Sequence, residues 1–249
     1  MKYLLASDLD GTIYRNRKTL PEDMEAIARW QALGHVFCLS SGRAPFSAIE
    51  EMKKCGLRPD LLICGNGSSS IDMEGNFLFR HRMPSGVHRQ LYALAHEYRV
   101  SAINGQTYEG TLYQHSYIDP NRVNISIEEL LAMDGFSQFN AVFKDQPEDA
   151  AAFTQRVNTE IEGVIAHPNG VYIDCSAAGI SKGTGVAAVA DHFGIPHENC
   201  FTIGDQDNDL PMLLPFHGAV IDTGNPATIE KVGHAVPNIA AFIGEILKD

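Results

Sequence analysis

The residues best suited to chemistry lie in four short segments. "SDLDGTIY", residues 7 to 14, sets Asp8 and Asp10 one residue apart at the end of an apolar run. "SSGR" brings Ser40, Ser41, Gly42 and Arg43; "GNG" brings Gly65, Asn66 and Gly67; "GDQDND" brings Gly204, Asp205, Asp207, Asn208 and Asp209. Side chains on an extended strand alternate with period two, so Asp8 and Asp10 begin on the same side and are expected to act as a pair. Their mutual repulsion demands a cation. With Asp205 added the donor set is all oxygen, which suits Mg²⁺. Such a site supports phosphoryl transfer, in which the metal neutralises phosphate oxygens and a carboxylate attacks phosphorus to form an aspartyl-phosphate. The hydroxyl and backbone N–H groups of "SSGR", with one lysine, would hold the equatorial oxygens.

These segments need a scaffold that gathers strand ends. "KYLLAS", "HVFCLSSG" and "DLLICGNG" are apolar runs separated by two helical stretches, "LPEDMEAIARWQALG" and "PFSAIEEMKKCG". In the first, Pro21 marks the start, Gly34 the stop, and Met24, Ile27, Ala28 and Gln31 share a face. Continuous apolar strands alternating with helices predict a doubly wound parallel α/β sheet covered on both faces. The last third repeats the theme, with helices at "GVAAVADHFG", "NDLPMLLPF" and "AAFIGEILKD" and strands at "NCFTIGD" and "GAVID". Between these halves the pattern changes to amphipathic helices, "RQLYALAHEYRV" and "AAAFTQRVNTEIEG", among alternating stretches such as "QFNAVFK" and "GVYIDC". Alternation predicts antiparallel strands with one wet face. The expected organisation is a discontinuous core, residues 1–81 and 175–249, interrupted by an α+β insertion over 82–174. In an open parallel sheet, ligands bind beyond the carboxyl ends of the strands, where all four segments fall.

The ordered motifs resemble those of the haloacid dehalogenase (HAD) superfamily phosphatases, in the Cof-like subgroup with a type IIB (C2B) cap. "DLDGT" matches the first family motif, "SSGR" the second with Ser41 where Thr is more usual, Lys182 in "GISKG" the third, and "GDQDND" the fourth. "GNG" and "GNPATIEKVGHAV" resemble further segments of the subgroup, so the likeness covers essentially the whole chain. It implies a Rossmann-like HAD core whose inserted cap closes over the site, excludes water and selects the leaving group. The resemblance also implies roles. Asp8 would be nucleophile and metal ligand, and Asp10 would protonate the leaving oxygen and then activate water, its backbone carbonyl on Mg²⁺. Such alternation needs two carboxyl groups with unlike pKa values. Ser41, Gly42, Lys182 and Asn208 would bind the phosphoryl group, Asp205 would ligate Mg²⁺, and Asn208 and Asp209 would orient the metal shell or Lys182. No role is implied for Asp207. The implied substrate is a small phosphorylated metabolite, with sugar phosphates ahead of phosphorylated cofactors such as pyridoxal phosphate or flavin mononucleotide; a phosphomutase is the nearest alternative.

Other patterns compete. "GISKG" fits the G-x-S-x-G nucleophile elbow, with Ser181 as nucleophile and Asp205 and His217 or His234 following in order. "GTGVAA" fits the loose G-x-G-x-x-A dinucleotide form, although helix entry explains it. "DQDND" opens like a calcium loop, but Leu210 and Phe216 stand where Gly and Glu are required. A non-catalytic binding or regulatory protein on a hydrolase fold is the alternative of a different class; it usually requires a broken motif, and none is broken here. His81, His88, His96 and His115 read as surface or substrate-rim residues, and Arg80, Arg82 and Arg89 as a solvated face or a contact for an acidic substrate.

Composition narrows the partners. The 249 residues carry 19 basic and 31 acidic side chains, a formal net charge of −12, which argues against nucleic acid and an anionic membrane surface. Five cysteines, odd in number and without C-x-x-C spacing, read as reduced buried thiols. The N-terminal apolar run stops at an acid and is too short for a signal peptide or membrane span, so a cytoplasmic location is expected; the expected assembly is a monomer or small homo-oligomer.

Overall fold

The computed structural model describes residues 1–15, 18–113 and 124–248. The chain opens with β1 (Leu4–Asp8), α1 (Pro21–Ala32), β2 (Val36–Ser40), α2 (Pro45–Cys55), β3 (Leu61–Cys64), β4 (Ser69–Ile71) and β5 (Phe77–Arg80). It divides into two compact units. One comprises Met1–Arg43, Ser47–Phe79 and Ser181–Asp249, the other Ala44–Phe46 and Arg80–Ile180.

The second unit contains α3 (Val87–Ala95), β6 (Ala102–Gln106), β7 (Thr111–Tyr113), α4 (Ile127–Ala132), β8 (Gln138–Val142), α5 (Pro147–Glu160), β9 (Val164–Asn169) and β10 (Tyr172–Ala177). Its strands form an antiparallel sheet in the order β7-β6-β8-β10-β9. Ile103, Phe139, Ala141, Ile173 and Cys175 share one face and pack with Leu91 and Leu94 of α3 and Phe153 and Val157 of α5. The opposite face is polar, as alternation predicts, but it is buried rather than wet: Asn104, Gln138, Asn140, Asp174 and Ser176 are all under a tenth exposed. The expected boundary after Asp174 falls inside β10, which pairs with β9 through Ala177, so this unit runs on to Ile180.

Chain returning to the first unit forms α6 (Lys182–Phe193), β11 (Cys200–Gly204), α7 (Leu210–Leu213), β12 (His217–Ile221), α8 (Pro226–Val232), β13 (Ala235–Val236) and α9 (Ile239–Ile246). The resulting sheet runs β13-β12-β11-β1-β2-β3-β4-β5, parallel from β13 to β3, with β4 antiparallel to β3. Strand period two divides its apolar residues between two layers. Leu5, Phe37, Leu39, Leu62 and Ile203 pack with Ile27 and Trp30 of α1, Met52 of α2 and Phe242 of α9. Leu4, Ala6, Val36, Cys38 and Ile63 pack with Val186 and Val189 of α6 and Met212 of α7. This is the expected doubly wound α/β core, and both halves of the sequence build it.

Three local expectations change. Helix α1 buries Asp23, Ile27 and Trp30, leaving Ala28 exposed. Asp23 turns inward because its Oδ1 accepts a 2.8 Å hydrogen bond from the backbone N–H of Ala240 in the first turn of α9. That contact satisfies a donor which a helix N-terminus otherwise leaves open. The helix expected at "NDLPMLLPF" is instead a 3-10 turn, Asp207–Asp209, followed by the single turn α7. His88 is buried in α3, its ring 4.9 Å from that of Phe136, and so is a core residue; His81 and His96 are exposed. His115 lies outside the described residues. Asp23→Ala is expected to destabilise the protein by about 1–2 kcal/mol in urea unfolding, whereas Asp23→Asn, which keeps the acceptor, costs less.

Candidate active site

The carboxyl ends of β11, β1, β2 and β3, neighbours in the sheet, carry the four segments. Asp8 ends β1 with the parity of Leu4 and Ala6, which points it toward the α6 layer. There Lys182, the first residue of α6 and almost wholly buried, donates to Asp8 Oδ1 and to Asp209 Oδ1, both at 2.6 Å. Asp209 uses its other oxygen to accept from the backbone N–H groups of Asp205, at 2.9 Å, and Gln206, at 3.1 Å. Asp205 Oδ1 accepts from the Thr12 hydroxyl at 3.1 Å. Asp8, Asp205 and Asp209 each bring a carboxylate oxygen within 4.8 Å of the others, so the structure gathers the end of β1, the end of β11 and the turn beyond it.

Glycines permit this approach. Gly11 has φ +96°, and a Cβ there would overlap Asp205 Oδ2. Gly183, next to Lys182, packs so tightly that a Cβ would run into the Pro211 carbonyl, and one at Gly185 would lie 2.5 Å from the Ile63 side chain. The glycines of "GTGVAA" are therefore packing residues of α6.

Charge in the cluster is unbalanced. Three ionised carboxylates against one ammonium leave a net charge of −2 in a buried site. Burial pushes the Asp8 carboxyl well above the usual range; Lys182 opposes this, while Asp209 and Asp205 reinforce it. Burial, with the Asp209 charge, raises Asp205 to about 6. Burial disfavours the Lys182 ammonium, but Asp209 and Asp8 outweigh it and hold Lys182 above its ordinary value. An all-oxygen, anionic, partly compensated cluster fits a hard divalent cation.

Asp10 departs from the expected pairing. The β1–β2 ladder ends at Asp8, so strand period two does not extend to residue 10. Its carboxylate is half exposed and grips Arg43, which donates from Nε and Nη2 at 2.8 Å each. Arg43 also lies 3.5 Å from Glu51, and the Asp10 hydrogen bonds raise its pKa further. Arg43 and Thr12 are site neighbours to which sequence reasoning gave no role, although both sit inside quoted motifs.

Ser41 is buried just beyond β2, and its Oγ accepts from the Arg43 N–H at 3.2 Å. The backbone of Ser41 and Arg43 is laced to the turn after β3, with Asn66 N–H donating to the Ser41 carbonyl and Gly65 N–H to that of Arg43. Gly42 lies between them, half-buried. Asn208 sits half-buried in the 3-10 turn that ends at Asp209. Asp207 turns away from the cluster, accepting from Thr228 at 2.8 Å and Lys231 at 3.2 Å, and so ties the turn to α8.

The serine-hydrolase pattern does not assemble. Ser181 caps α6, its Oγ accepting from Thr184 N–H at 3.2 Å while Thr184 Oγ1 accepts from Ser181 N–H at 2.9 Å. His217 Nε2 contacts the Glu198 carbonyl, and His234 pairs with Glu245. Arg80 and Arg82 lie over the Tyr108 ring, and Arg89 donates to the Leu131 carbonyl.

Comparisons with known proteins agree with this architecture. The model of the haloacid dehalogenase-like hydrolases matches residues 5–239. The 5-amino-6-(5-phospho-D-ribitylamino)uracil phosphatase YitU of Bacillus subtilis (strain 168) is 25% identical over 236 residues, covering 90% of this chain and 87% of that protein. Among solved structures, a phosphatase of the haloalkanoate superfamily from Bacteroides thetaiotaomicron superposes with a TM-score of 0.81 at 23% identity, over 100% of this chain and 94% of the other. A subclass IIB sugar phosphatase gives a TM-score of 0.82 at 19% identity, over 98% of each chain.

Replacing Lys182 with Met leaves two buried carboxylates without their cation. The variant is expected to lose about 3–5 kcal/mol in urea unfolding at neutral pH; parental stability would contradict the buried triad.

Proposed function

Because the chain belongs to the haloacid dehalogenase-like hydrolase family, we propose that it is a Mg²⁺-dependent phosphatase that hydrolyses monoesters of small phosphorylated metabolites, sugar phosphates foremost, through an aspartyl-phosphate on Asp8. The observation that carries this reading is the buried Lys182 joined to Asp8 and Asp209 beside Asp205. It supplies a fixed nucleophile, a fixed cation and an acidic set that needs a further cation.

Asp8 is the attacking group: Lys182 holds one oxygen, and the other is the one available to phosphorus. Asp8 and Asp205 would hold the metal with the backbone carbonyl of Asp10, while Asp209 fixes Lys182 and the backbone of Asp205. Mg²⁺ supplies charge neutralisation of the phosphate oxygens. Lys182 and the Ser41 hydroxyl, with the N–H of Gly42, bind the phosphoryl oxygens, and Asn208 flanks them. Asp10 delivers a proton to the leaving oxygen and later takes one from the attacking water. Arg43, which donates two hydrogen bonds to the Asp10 carboxylate, must release it before that group can reach the leaving oxygen.

The substrate class draws support from the names of the similar proteins, a ribitylaminouracil phosphate phosphatase and a sugar phosphatase. Residues 80–180 are read as the specificity domain. The net charge of −12 favours a small metabolite over nucleic acid. Five free cysteines, four of them buried, are consistent with a reducing cytoplasmic setting, and among the described residues no helix is long and apolar enough to cross a membrane.

The protein is expected to hydrolyse p-nitrophenyl phosphate with Mg²⁺, to stop in EDTA and to recover when Mg²⁺ is restored. Asp8→Asn should lower kcat by about 10³-fold or more. Activity that survives EDTA, or an Asp8→Asn variant as active as its parent, overturns the proposal.

A further inference from the structure

Asp205, Asp207 and Asp209 set carboxylates at alternate positions of one short segment. Asp205 and Asp209, with Asp8, share the buried cluster around Lys182. Asp207 turned the same way would add a further negative charge to a site already short of positive charge. It leaves the cluster instead. Its Oδ1 accepts from the Thr228 hydroxyl at 2.8 Å and from Lys231 Nζ at 3.2 Å. Thr228 is fully buried, whereas the side chains of Asp207 and Lys231 are each about half exposed.

Both donors belong to α8 and stand three residues apart, hence on one face of the helix. The start of the same helix makes a further contact: the backbone N–H of Asn225, its N-cap, donates to the Asp205 carbonyl at 2.8 Å. Gly224 lets the two chain segments meet, since a Cβ there would lie 2.8 Å from that same carbonyl oxygen. Helix α8 therefore grips the segment at residues 205 and 207, while Asp209 joins it to Lys182 and back to the N–H groups of Asp205 and Gln206. The turn itself is a single 3-10 turn, Asp207–Asp209. A turn of that length has little stability of its own, so contacts from outside must fix it.

We propose that Asp207 is a positioning residue for the metal site: Thr228 and Lys231 hold its carboxylate, and that hold keeps the turn in the arrangement that presents Asp205 and Asp209. The inference rests on the phosphatase reading, in which those acids serve a divalent cation. Asp207 acts without touching the cation. A site whose binding-competent arrangement is only partly populated binds more weakly by that fraction, and groups behind the ligands commonly change metal affinity by about tenfold or more. An exposed ion pair contributes little to overall stability. Loosening this one is therefore expected to show in metal affinity and hardly at all in the melting temperature.

Calorimetric titration of the full chain with Mg²⁺, without substrate, tests this. Lys231→Met is the variant to make first, because the two ways Lys231 could act on the site have opposite signs. Removing a positive charge near an anionic site strengthens cation binding through the field alone; removing one of the two holds on Asp207 weakens it. The variant is expected to bind Mg²⁺ about three- to tenfold more weakly than the parent, with a melting temperature within about 2 °C of it. Thr228→Val removes the other hold without changing charge and should weaken binding by a similar factor; Lys231→Met carries the test alone if the buried substitution does not fold. Asp207→Asn combined with Lys231→Met should bind no more tightly than Asp207→Asn alone, because the two residues act through one contact. In p-nitrophenyl phosphate hydrolysis, the Mg²⁺ concentration that gives half the maximal rate should rise in step with the dissociation constant. A Lys231→Met variant that binds Mg²⁺ as tightly as the parent, or more tightly, overturns the proposal, as does a double variant restored to parental affinity. A parent that binds no Mg²⁺ and hydrolyses no ester overturns the phosphatase reading itself, whereas a parent that does both, with variants that bind as it does, overturns this inference alone.

Discussion

A buried ammonium held between two carboxylates organises the molecule. Lys182 reaches Asp8 at the end of β1 and Asp209 in the turn after β11, and each contact is 2.6 Å. Burying a charge is costly unless it is paired, so the lysine fixes both acids as firmly as they fix it. The residues around it serve that arrangement. Gly183 lets α6 lie against the Pro211 carbonyl, Gly11 leaves room for Asp205, and Asp209 spends its second oxygen on the backbone of Asp205 and Gln206. Helix α8 then ties down the same turn through Asp207.

The cluster is deliberately left short of positive charge. Asp8 and Asp205 both titrate above their usual range because burial and the nearby Asp209 carboxylate disfavour ionisation, with Lys182 offsetting part of the effect. Asp8 and Asp205 are the residues that would hold a divalent cation, and its charge would favour the ionised form of both carboxylates. Asp10 stands apart from this network under the hold of Arg43, which separates its carboxylate from those gathered around Lys182.

Much of this was legible in the sequence because it depends on short-range pattern. Apolar runs ending in Asp8, Ser41 and Asp205 mark strand ends, and the parallel sheet brings adjacent ends together whatever the loops do. Long-range pairing was not legible. Arg43 meets Asp10 across 33 residues, and Asp23 binds the start of α9 across 217, so a helical face drawn from hydrophobicity alone left Asp23 out. Strand alternation foretold the polar face of the second sheet but not its burial, since period two reports which side a residue faces and not what lies there. Helix α8 did carry local signals, Asn225 before Pro226 at the start and Gly233 at the end, within a stretch read only for its family likeness.

The most direct measurement is to quench a single turnover on a phosphate ester with Mg²⁺, reduce the protein with borohydride and map the modified residue by mass spectrometry. An acyl phosphate on Asp8 would be reduced there to homoserine, and the account predicts that change at residue 8 and at no other aspartate. Turnover that leaves Asp8 unmodified, or marks another residue, would contradict it.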